Sequence, residues 1–210
     1  RTMPILISDE SRRFFPQIAH ALDYAHKQDI FHAYLNLSAI ITDDSSNFVI
    51  TDFSMYLRYL KLTINGDGIE FATDHYMSPE RWRGDEMNHL TDQYAFGVIA
   101  YQVLTGQLPF VGSTPYAIMD AHLNKTPKKP SEVNQSLPKS VDAVLMKAIS
   151  KTPEARFENC TEFANALLAS LNLKPDLSIN ISSQSSPTSQ LSAGKRAEPL
   201  TRDSLIGLSV

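Results

Sequence analysis

This 210-residue sequence has a single cysteine, no long apolar run and no marked excess of charge. The one cysteine, Cys160, excludes an internal disulfide, and its place in an apolar helical pattern favours packing over nucleophilic chemistry. A formal net charge of −4 gives no electrostatic signature for nucleic acid or for an anionic membrane surface. No apolar run approaches the roughly 20 residues that cross a bilayer. We therefore expect a cytoplasmic protein.

The composition favours one ordinary folded domain. With 42% hydrophobic and 20% charged residues, the chain can bury a core of about that size. From residue 174 onward it is rich in serine, proline and glutamine and has no aromatics, which predicts a domain at 1–173 and a disordered tail or linker at 174–210. Lys195 and Arg196 in the tail are too few for an anchoring patch. The chain begins at Arg1, so we expect it to be a piece of a longer protein.

Apolar residues at three- and four-residue spacing predict that this domain is mainly helical. The first helix is expected between residue 8 and residues 27–29, with Pro16 kinking it or delaying its start. Pro79 is expected to open a short helix, and the segment 90–92 to cap an apolar run that Gly106 closes. Further helices are predicted at 114–124, 138–150 and 159–172, separated by proline-rich joints.

Residues 31–54, FHAYLNLSAIITDDSSNFVITDFS, predict a small β-hairpin. The β-branched runs 40–42 and 48–51 flank a polar turn, which is the usual pattern of two short strands and their connection. His32 lies on the loop that enters the hairpin, and Asp52 lies where the chain leaves it. Because loops held by a rigid scaffold commonly carry catalytic groups, this segment is the candidate active site.

Five motifs follow one another along the chain: His32 with Leu35, Asp52-Phe53-Ser54, Tyr76-Met77-Ser78-Pro79-Glu80, Asp92-Gln93-Tyr94-Ala95-Phe96-Gly97 and Pro153-Glu154-Ala155-Arg156. Their order and spacing resemble the C-terminal lobe of a eukaryotic-type protein kinase, in particular the bacterial Ser/Thr kinases. The resemblance covers roughly residues 5–172. It implies an α+β, protein kinase-like fold with a mainly helical C-terminal lobe and one small β-hairpin.

The resemblance implies structural roles for five residues. Glu80 and Arg156 match a shielded ion pair that ties the end of the activation segment to the late helices. Asp92 matches the aspartate that holds the catalytic-loop backbone. His32 and Phe53 match members of an internal hydrophobic stack. The framework of the family's active site is therefore expected to be present.

The catalytic groups are expected to be absent. The family's catalytic loop reads His-Arg-Asp-Leu-x-x-x-Asn, and the matching residues 32–39 read HAYLNLSA. Tyr34 stands where an aspartate accepts the substrate proton, and a phenol, with a reference pKa of about 10, is a poor proton acceptor. Asn36 stands at the position of a phosphate-contacting lysine, and Ala39 at that of the magnesium-binding asparagine. Ala33 replaces an arginine that commonly receives an activation-segment phosphate.

Asp52 matches the family's magnesium-binding aspartate, although it lies in Asp-Phe-Ser rather than Asp-Phe-Gly. Two interpretations stand side by side: a weak residual magnesium and cofactor site, and a solvated or hairpin-capping aspartate. Thr63 and Thr73 are conceivable phosphoacceptors, for which an ordinary polar loop role is favoured. No zinc site is expected, because no metal-ligand spacing relates the six histidines, at positions 20, 26, 32, 75, 89 and 122.

The nucleotide-binding signatures of the family's N-terminal lobe do not occur in the printed sequence. There is no G-x-G-x-x-G, since Gly66-Asp67-Gly68 has Phe71 in place of the third glycine. Lys27 is the first lysine, so none precedes the hairpin region to match the family's strand lysine. We expect the N-terminal lobe to be absent from this chain, and ATP and magnesium to bind only if that lobe lies upstream.

These features predict a pseudokinase that acts as a regulatory or protein-binding module, holding a protein partner on its helical face near residues 116–123. One alternative is a Ser/Thr protein kinase with its N-terminal lobe upstream, acting on a protein substrate through an unorthodox base. Another is a truncated kinase fragment with no role of its own. No nucleic acid and no membrane within this chain are expected. The cytosolic part of a membrane-anchored protein remains an alternative location.

Overall fold

The computed structural model of the chain describes residues 10–53 and 75–178. Those residues form seven α-helices, two 3₁₀ turns and one two-stranded sheet, which confirms the predicted α+β class with mostly helices and one hairpin. The predictions on Ser54, Thr63, Thr73, residues 66–71 and the tail beyond residue 178 lie outside the described residues. The elements are α1 (Ser11–His26), β1 (Ile40–Thr42), β2 (Phe48–Ile50), α2 (Pro79–Arg83), α3 (His89–Thr105), α4 (Pro115–Asn124), α5 (Pro130–Val133), α6 (Ser140–Ala148) and α7 (Cys160–Ser170).

The helix α3 is the centre of the fold. Its sequence is apolar nearly all round, and from Thr91 to Thr105 every residue except Gln102 is buried. It packs against α1, α5 and α6. Gly106, with φ 74°, ends the helix in the left-handed conformation, as the sequence predicted.

The start of α3 was predicted incorrectly. Asn88, rather than the segment 90–92, caps the helix: its side-chain oxygen accepts the Leu90 N–H at 2.8 Å, and its own N–H donates to the Thr91 hydroxyl at 3.3 Å. Thr91 and Asp92 lie inside the first turn, both buried, and their side chains contact other elements instead. Because Asp92 does not cap the helix, its carboxylate is available to contact the candidate site.

Two helices meet closely at Gly97 in the middle of α3. A Cβ added there would lie 3.0 Å from the Ala148 Cβ and 3.0 Å from the Ile149 Cγ2, at the end of α6. Real Cβ atoms make few contacts this short, so α3 and α6 approach at this distance only because residue 97 has no side chain.

The amphipathic helix α1 is continuous through Pro16, where the sequence predicted a kink or a delayed start. Pro16 is buried inside it, and the helix begins at Ser11. Because proline has no N–H, it cannot bond to the carbonyl four residues earlier. That carbonyl, on Arg12, accepts the N–H of Asp176 at 2.7 Å. The proline therefore leaves an acceptor that fixes the segment after α7 against α1.

The predicted hairpin is confirmed, with Ile40 opposite Ile50 and Thr42 opposite Phe48. Its turn is held by Asp43, whose carboxylate accepts the N–H groups of Ser45 and Asn47 at 2.9 and 2.8 Å. The hydrogen bonds from Asn47 hold the pKa of Asp43 below its usual value. The ring of Phe48 packs edge-on against that of Phe14 in α1, with centroids 5.0 Å apart, so the hairpin is docked on a helix.

The sequence did not predict α5, a single turn within a proline-rich joint. Pro130 supplies its first position, and Ser131 donates its N–H and its hydroxyl to the Asp142 carboxylate at 2.8 and 2.7 Å. Four residues are too few for a periodic pattern, so only tertiary contacts specify this turn. No helix in the described parts of the chain is long and apolar enough to span a bilayer.

Candidate active site

Asp92 is the residue around which the candidate site is built. It lies in the first turn of α3 with 1% of its surface exposed. Its two carboxylate oxygens accept the backbone N–H of His32 at 2.8 Å and that of Ala33 at 2.7 Å. The Nε2 of His26, in the last turn of α1, lies 2.8 Å from the same carboxylate. One buried charge thus links two helices to the loop before the hairpin.

The imidazole of His32 is fully buried and holds the loop from inside. Its Nε2 lies 2.8 Å from the Thr51 carbonyl, and its Nδ1 accepts the N–H of Tyr34 at 3.3 Å. A carbonyl only accepts, so Nε2 carries the proton. The ring lies 4.8 Å from that of Phe53, centroid to centroid. These contacts bring the two ends of the 31–54 segment together.

The chain bends sharply at both flanks of the hairpin. Ala33 has φ 61° and Asp52 has φ 66°, both in the left-handed region that residues other than glycine rarely adopt. Such backbone conformations cluster at functional sites and persist only where the surroundings enforce them. At Ala33 the enforcing contact is the Asp92 carboxylate on its N–H.

Tyr34 follows this bend, and its ring lies near Arg81 of α2. Its side chain is half-buried, and the Arg81 guanidinium of α2 lies 5.8 Å from the centre of its ring. This distance permits a cation–π attraction. The tyrosine therefore contributes a packed aromatic face to the site and connects the loop to α2.

Asn36 caps the 3₁₀ turn Leu37–Ala39. Its Oδ1 accepts the N–H groups of Ser38 and Ala39 at 2.8 and 3.2 Å, and its Nδ2 donates to the Tyr34 carbonyl at 3.1 Å. Sequence reasoning missed this role, although an asparagine just before a short turn is a usual capping signal. Its amide is occupied within the loop.

Ala39 and Asp52 sit side by side where the hairpin begins and ends. Ala39 is buried, and its carbonyl accepts both the N–H and the hydroxyl of Thr51, at 2.8 and 3.2 Å. Asp52 is exposed, and its Oδ2 accepts the same hydroxyl at 3.1 Å. Among residues 10–53 and 75–178, no group of three or more metal-binding side chains includes Asp52.

Glu80 and Arg156 form a buried, bidentate ion pair between α2 and the segment before α7. The two contacts measure 2.8 and 2.7 Å. Arg156 also donates to the carbonyls of Leu90 and Ser150 at 2.9 Å each, and it lies 4.8 Å from the ring centre of Tyr94. Burial raises the pKa of Glu80, but the hydrogen bonds and charge of Arg156 outweigh it and hold that pKa below the usual value.

A second buried polar cluster, under α4, was missed by the sequence analysis. The Nδ1 of His122 shares a 2.9 Å hydrogen bond with the Tyr94 hydroxyl, and the ring packs on Phe110. Burial, with the charge of Lys151, lowers the pKa of His122 to about 3. Lys151 donates to the Ala121 carbonyl at 3.0 Å, and burial lowers its pKa to about 8. The only available signal was a histidine within an apolar stripe of α4.

The sequence model of the protein kinase domain matches residues 2–168. The chain belongs to the protein kinase domain family. This kinase domain is 32% identical over 151 residues to a probable serine/threonine-protein kinase of Clostridium acetobutylicum, which covers 72% of this chain and 23% of that protein. It is 31% identical over 153 residues to the serine/threonine-protein kinase PrkC of Bacillus subtilis, covering 73% of this chain and 24% of PrkC.

The fold of this kinase domain is shared with a solved bacterial kinase. The crystal structure of a cysteine-to-alanine mutant of the Mycobacterium tuberculosis PknI kinase domain superimposes with a TM-score of 0.59 at 25% identity. The superposition covers 81% of this chain and 56% of the PknI chain. The chain therefore spans about a quarter of the curated relatives it matches and just over half of a solved kinase domain. All the site residues described above lie within the matched region.

Proposed function

We propose that this chain is part of a kinase domain that has lost phosphoryl transfer and acts as a pseudokinase, a regulatory or protein-binding module. The observation that supports the proposal is the chemistry of residues 32–39. Asp92 holds the backbone of this loop through two hydrogen bonds, as an active site would require. The side chains that the loop carries are Tyr34, Asn36 and Ala39.

Protein kinases use groups that these side chains do not supply. In the family an aspartate accepts the substrate hydroxyl proton, and an asparagine and a second aspartate hold magnesium against the nucleotide. Tyr34 offers a phenol in place of the first group, and Ala39 a methyl group in place of the asparagine. A positioned general base alone contributes about 10²–10⁴-fold to a rate. We therefore expect turnover far below the roughly 1–100 per second of active kinases.

Asn36 also argues against phosphate binding at the lysine position. A neutral amide lacks the charge that attracts a transferred phosphoryl group. Moreover, both ends of this amide bond to the loop itself. Turning the side chain toward a nucleotide would break the cap of the 3₁₀ turn.

The residues present do not fit the family's magnesium site. Asp52 is exposed and stands alone among the matched ligands, because Ala39 has no donor atom. ATP and magnesium enter this proposal only if an N-terminal lobe upstream supplies the glycine-rich loop and the lysine that hold the nucleotide phosphates; that lobe adds no ligand for the metal. In that case Asp52 is the one residue of this chain that would hold the ion.

A protein partner is the proposed ligand, bound on the face of α4. Tyr116 is 78% exposed and Val111, just before the helix, is 67% exposed. These two exposed apolar side chains lie five residues apart in the chain, and exposed apolar surface is a feature of interaction sites. The proposed location is the cytoplasm, or the cytosolic part of a membrane-anchored protein.

The proposal is tested by a phosphotransfer assay on the full-length polypeptide that contains this chain. With labelled ATP and magnesium, we expect no transfer to the protein itself or to a generic Ser/Thr acceptor. Turnover that Asp52→Ala abolishes would overturn the pseudokinase proposal in favour of the active-kinase alternative, because it would require Asp52 to hold a working metal ion. Transfer that the Asp52→Ala protein, purified in parallel, retains in full would instead indicate a contaminating kinase.

The fragment alternative is decided by the gene. An upstream reading frame that encodes a glycine-rich loop and a strand lysine in frame with this chain would exclude a truncated product. If that lobe exists, a thermal-shift titration with ATP and magnesium separates nucleotide binding from turnover, since a ligand at 100 times its Kd stabilises a protein by about 2.7 kcal/mol.

A further inference from the structure

Three potential metal ligands meet where the last turn of α1 approaches the first residue of α7. Asp23 and His26 are three residues apart on α1 and so share one face of the helix. Cys160 opens α7 beside them. One ligand atom from each of the three lies within 4.8 Å of the other two. No other group of three or more such side chains occurs among the described residues.

His26 is already oriented as a ligand. Its side chain is 8% exposed, and its Nε2 lies 2.8 Å from the Asp92 carboxylate, which is 1% exposed. A carboxylate only accepts, so Nε2 carries the proton and Nδ1 presents its lone pair. A histidine whose distal N–H donates to a carboxylate is the usual arrangement behind a metal ion.

The lone pair on the Nδ1 of His26 faces another acceptor atom, the Oδ1 of Asp23. The nearest charged atom is the Asp23 Oδ1 at 3.9 Å, too far for a hydrogen bond, and this oxygen also accepts the N–H of Cys160 at 3.0 Å. A cation placed between these two electron-rich atoms would be attracted to both of them. The Cys160 sulfur completes the third side of this gap.

We propose that Asp23, His26 and Cys160 bind one zinc ion. A carboxylate, an imidazole and a thiolate are the ligand set that zinc prefers, whereas magnesium and calcium require oxygen alone. Tetrahedral zinc places its ligand atoms roughly 3.3–3.7 Å apart, so each of the three needs to move by less than about 1 Å. Binding replaces the thiol proton with the metal and releases that proton to solvent. This proposal replaces the expectation, drawn from histidine spacing, that the chain has no zinc site.

The fourth coordination position opens to solvent. A groove of about 770 Å³ borders the cluster, and its lining includes Asp23, His26, His89 and Glu158. Cys160 is fully buried behind them. Zinc therefore enters from the groove, binds three protein atoms and retains a water on the open side, which is the coordination of an open site.

Asp23 can bind zinc and still cap α7. Its Oδ2 accepts the N–H of Thr161 at 2.9 Å and also the hydroxyl of Thr161. The other oxygen, Oδ1, faces His26 and also accepts the N–H of Cys160 at 3.0 Å, which leaves it a second lone pair for the metal. Because Asp92 also holds the backbone N–H groups of His32 and Ala33, zinc on His26 would be connected to the candidate active site through a single carboxylate.

The test measures metal bound to the full 210-residue chain, purified under reducing conditions. We expect one zinc per chain by elemental analysis, and a thiolate-to-metal absorption band when cobalt replaces zinc. Cys160→Ala and Asp23→Asn should each lower zinc affinity by more than the roughly 10–100-fold that loss of an outer partner costs. His89→Gln is the matched control, since His89 lines the same groove but is not in the ligand group, and its affinity should be unchanged.

Zinc binding that is absent from the unaltered chain, or equal in Cys160→Ala and His89→Gln, would overturn the proposal. Should Cys160→Ala fail to fold, alkylation of the unaltered protein gives the same answer. Zinc should slow the reaction of Cys160 with an alkylating agent at least tenfold, and a rate independent of zinc would refute the site.

Discussion

The Glu80–Arg156 pair is the single contact whose loss we expect to destabilise the chain most. Both side chains are buried, and the arginine makes two further hydrogen bonds to carbonyls. Removing one partner leaves the other as an unpaired charge away from water, which typically costs about 3–5 kcal/mol. Each residue of the pair is therefore needed mainly because it neutralises the buried charge of the other.

Glu80→Ala should accordingly lower the free energy of unfolding by about 3–5 kcal/mol in urea titrations. Asp120→Ala is the control, because it breaks the exposed 3.2 Å pair of Asp120 with Lys125, which solvent screens, and it should cost far less than Glu80→Ala. The double variant Glu80→Met with Arg156→Met should recover much of the loss. Equal losses at Glu80 and Asp120 would contradict the buried-charge explanation.

Asn36→Lys restores the residue that active kinases carry and should nevertheless destabilise this chain. Lysine cannot accept the N–H groups of Ser38 and Ala39, so the 3₁₀ turn loses its cap, at a cost of about 0.5–2 kcal/mol. Asn36→Asp keeps the accepting oxygens and should cost less. Urea denaturation of the two variants compares them directly, and a neutral or stabilising Asn36→Lys would be inconsistent with the capping role.

Single residues differ in how far the sequence could specify their roles. The order of motifs singled out His32, Asp92 and Arg156, because each lies in a short segment of recognisable spacing. It could not reveal that His26 shares the Asp92 carboxylate, since that contact joins residues far apart in the chain and only folding brings them together. The cap at Asn36 was readable but was overlooked in favour of the missing lysine charge.

Helices with an apolar stripe were well predicted, and the connections between them less so. The period of α1 and the apolar run of α3 are long enough for hydrophobic spacing to specify them. The bounds of α3 and the existence of α5 depend on the Asn88 cap and on the bond between Ser131 and Asp142. These are individual polar contacts, which no periodic pattern encodes.

The crossing of α3 and α6 is expected to tolerate no side chain at Gly97. Gly97→Val would place its Cβ 3.0 Å from Ala148 and add two further methyl groups, so the helices must separate. Overpacking of this kind typically costs about 1–3 kcal/mol, more than the few tenths of a kcal/mol, roughly, that valine gains over glycine in helix propensity. Calorimetry should show a lower Tm for Gly97→Val.

The matched control for that crossing is Gly84→Ala. Gly84 has no atom within 4 Å of an added Cβ, so only its positive φ of 80° opposes the substitution. Its Tm should fall less than that of Gly97→Val. A larger loss at Gly84 would mean that backbone conformation, rather than the distance between α3 and α6, limits these positions.

Acid should destabilise the whole fold through His122. Its folded pKa of about 3 lies below the ordinary value of 6.5, so between these pH values the unfolded chain binds a proton that the folded chain does not. Stability is therefore retained above pH 6.5 and falls as the pH drops toward 3, by up to about 1.4 kcal/mol per pH unit. The groups facing His122 are the Tyr94 hydroxyl, Lys151 and His75.

The variant His122→Asn isolates the contribution of His122 to the pH dependence of stability. The asparagine oxygen replaces Nδ1 as the partner of the Tyr94 hydroxyl but does not titrate. Between pH 6.5 and 5, the unfolding free energy of the variant should decline by roughly 2 kcal/mol less than that of the unaltered protein. Parallel curves for the two proteins would refute the assignment. Glu80 adds a separate loss at lower pH, because its lowered folded pKa gives stability that disappears as the carboxylate is protonated.

The hydrogen bonds from residues 32 and 33 to Asp92 affect which substitutions this loop can accept. The carboxylate binds main-chain N–H groups, which every amino acid except proline carries. These two bonds do not depend on the side chains at positions 33 and 34, so Ala33 in place of the family's arginine and Tyr34 in place of its aspartate leave them intact. A single residue on a neighbouring helix thus separates the geometry of this loop from its chemistry, and new chemistry can be introduced there one side chain at a time.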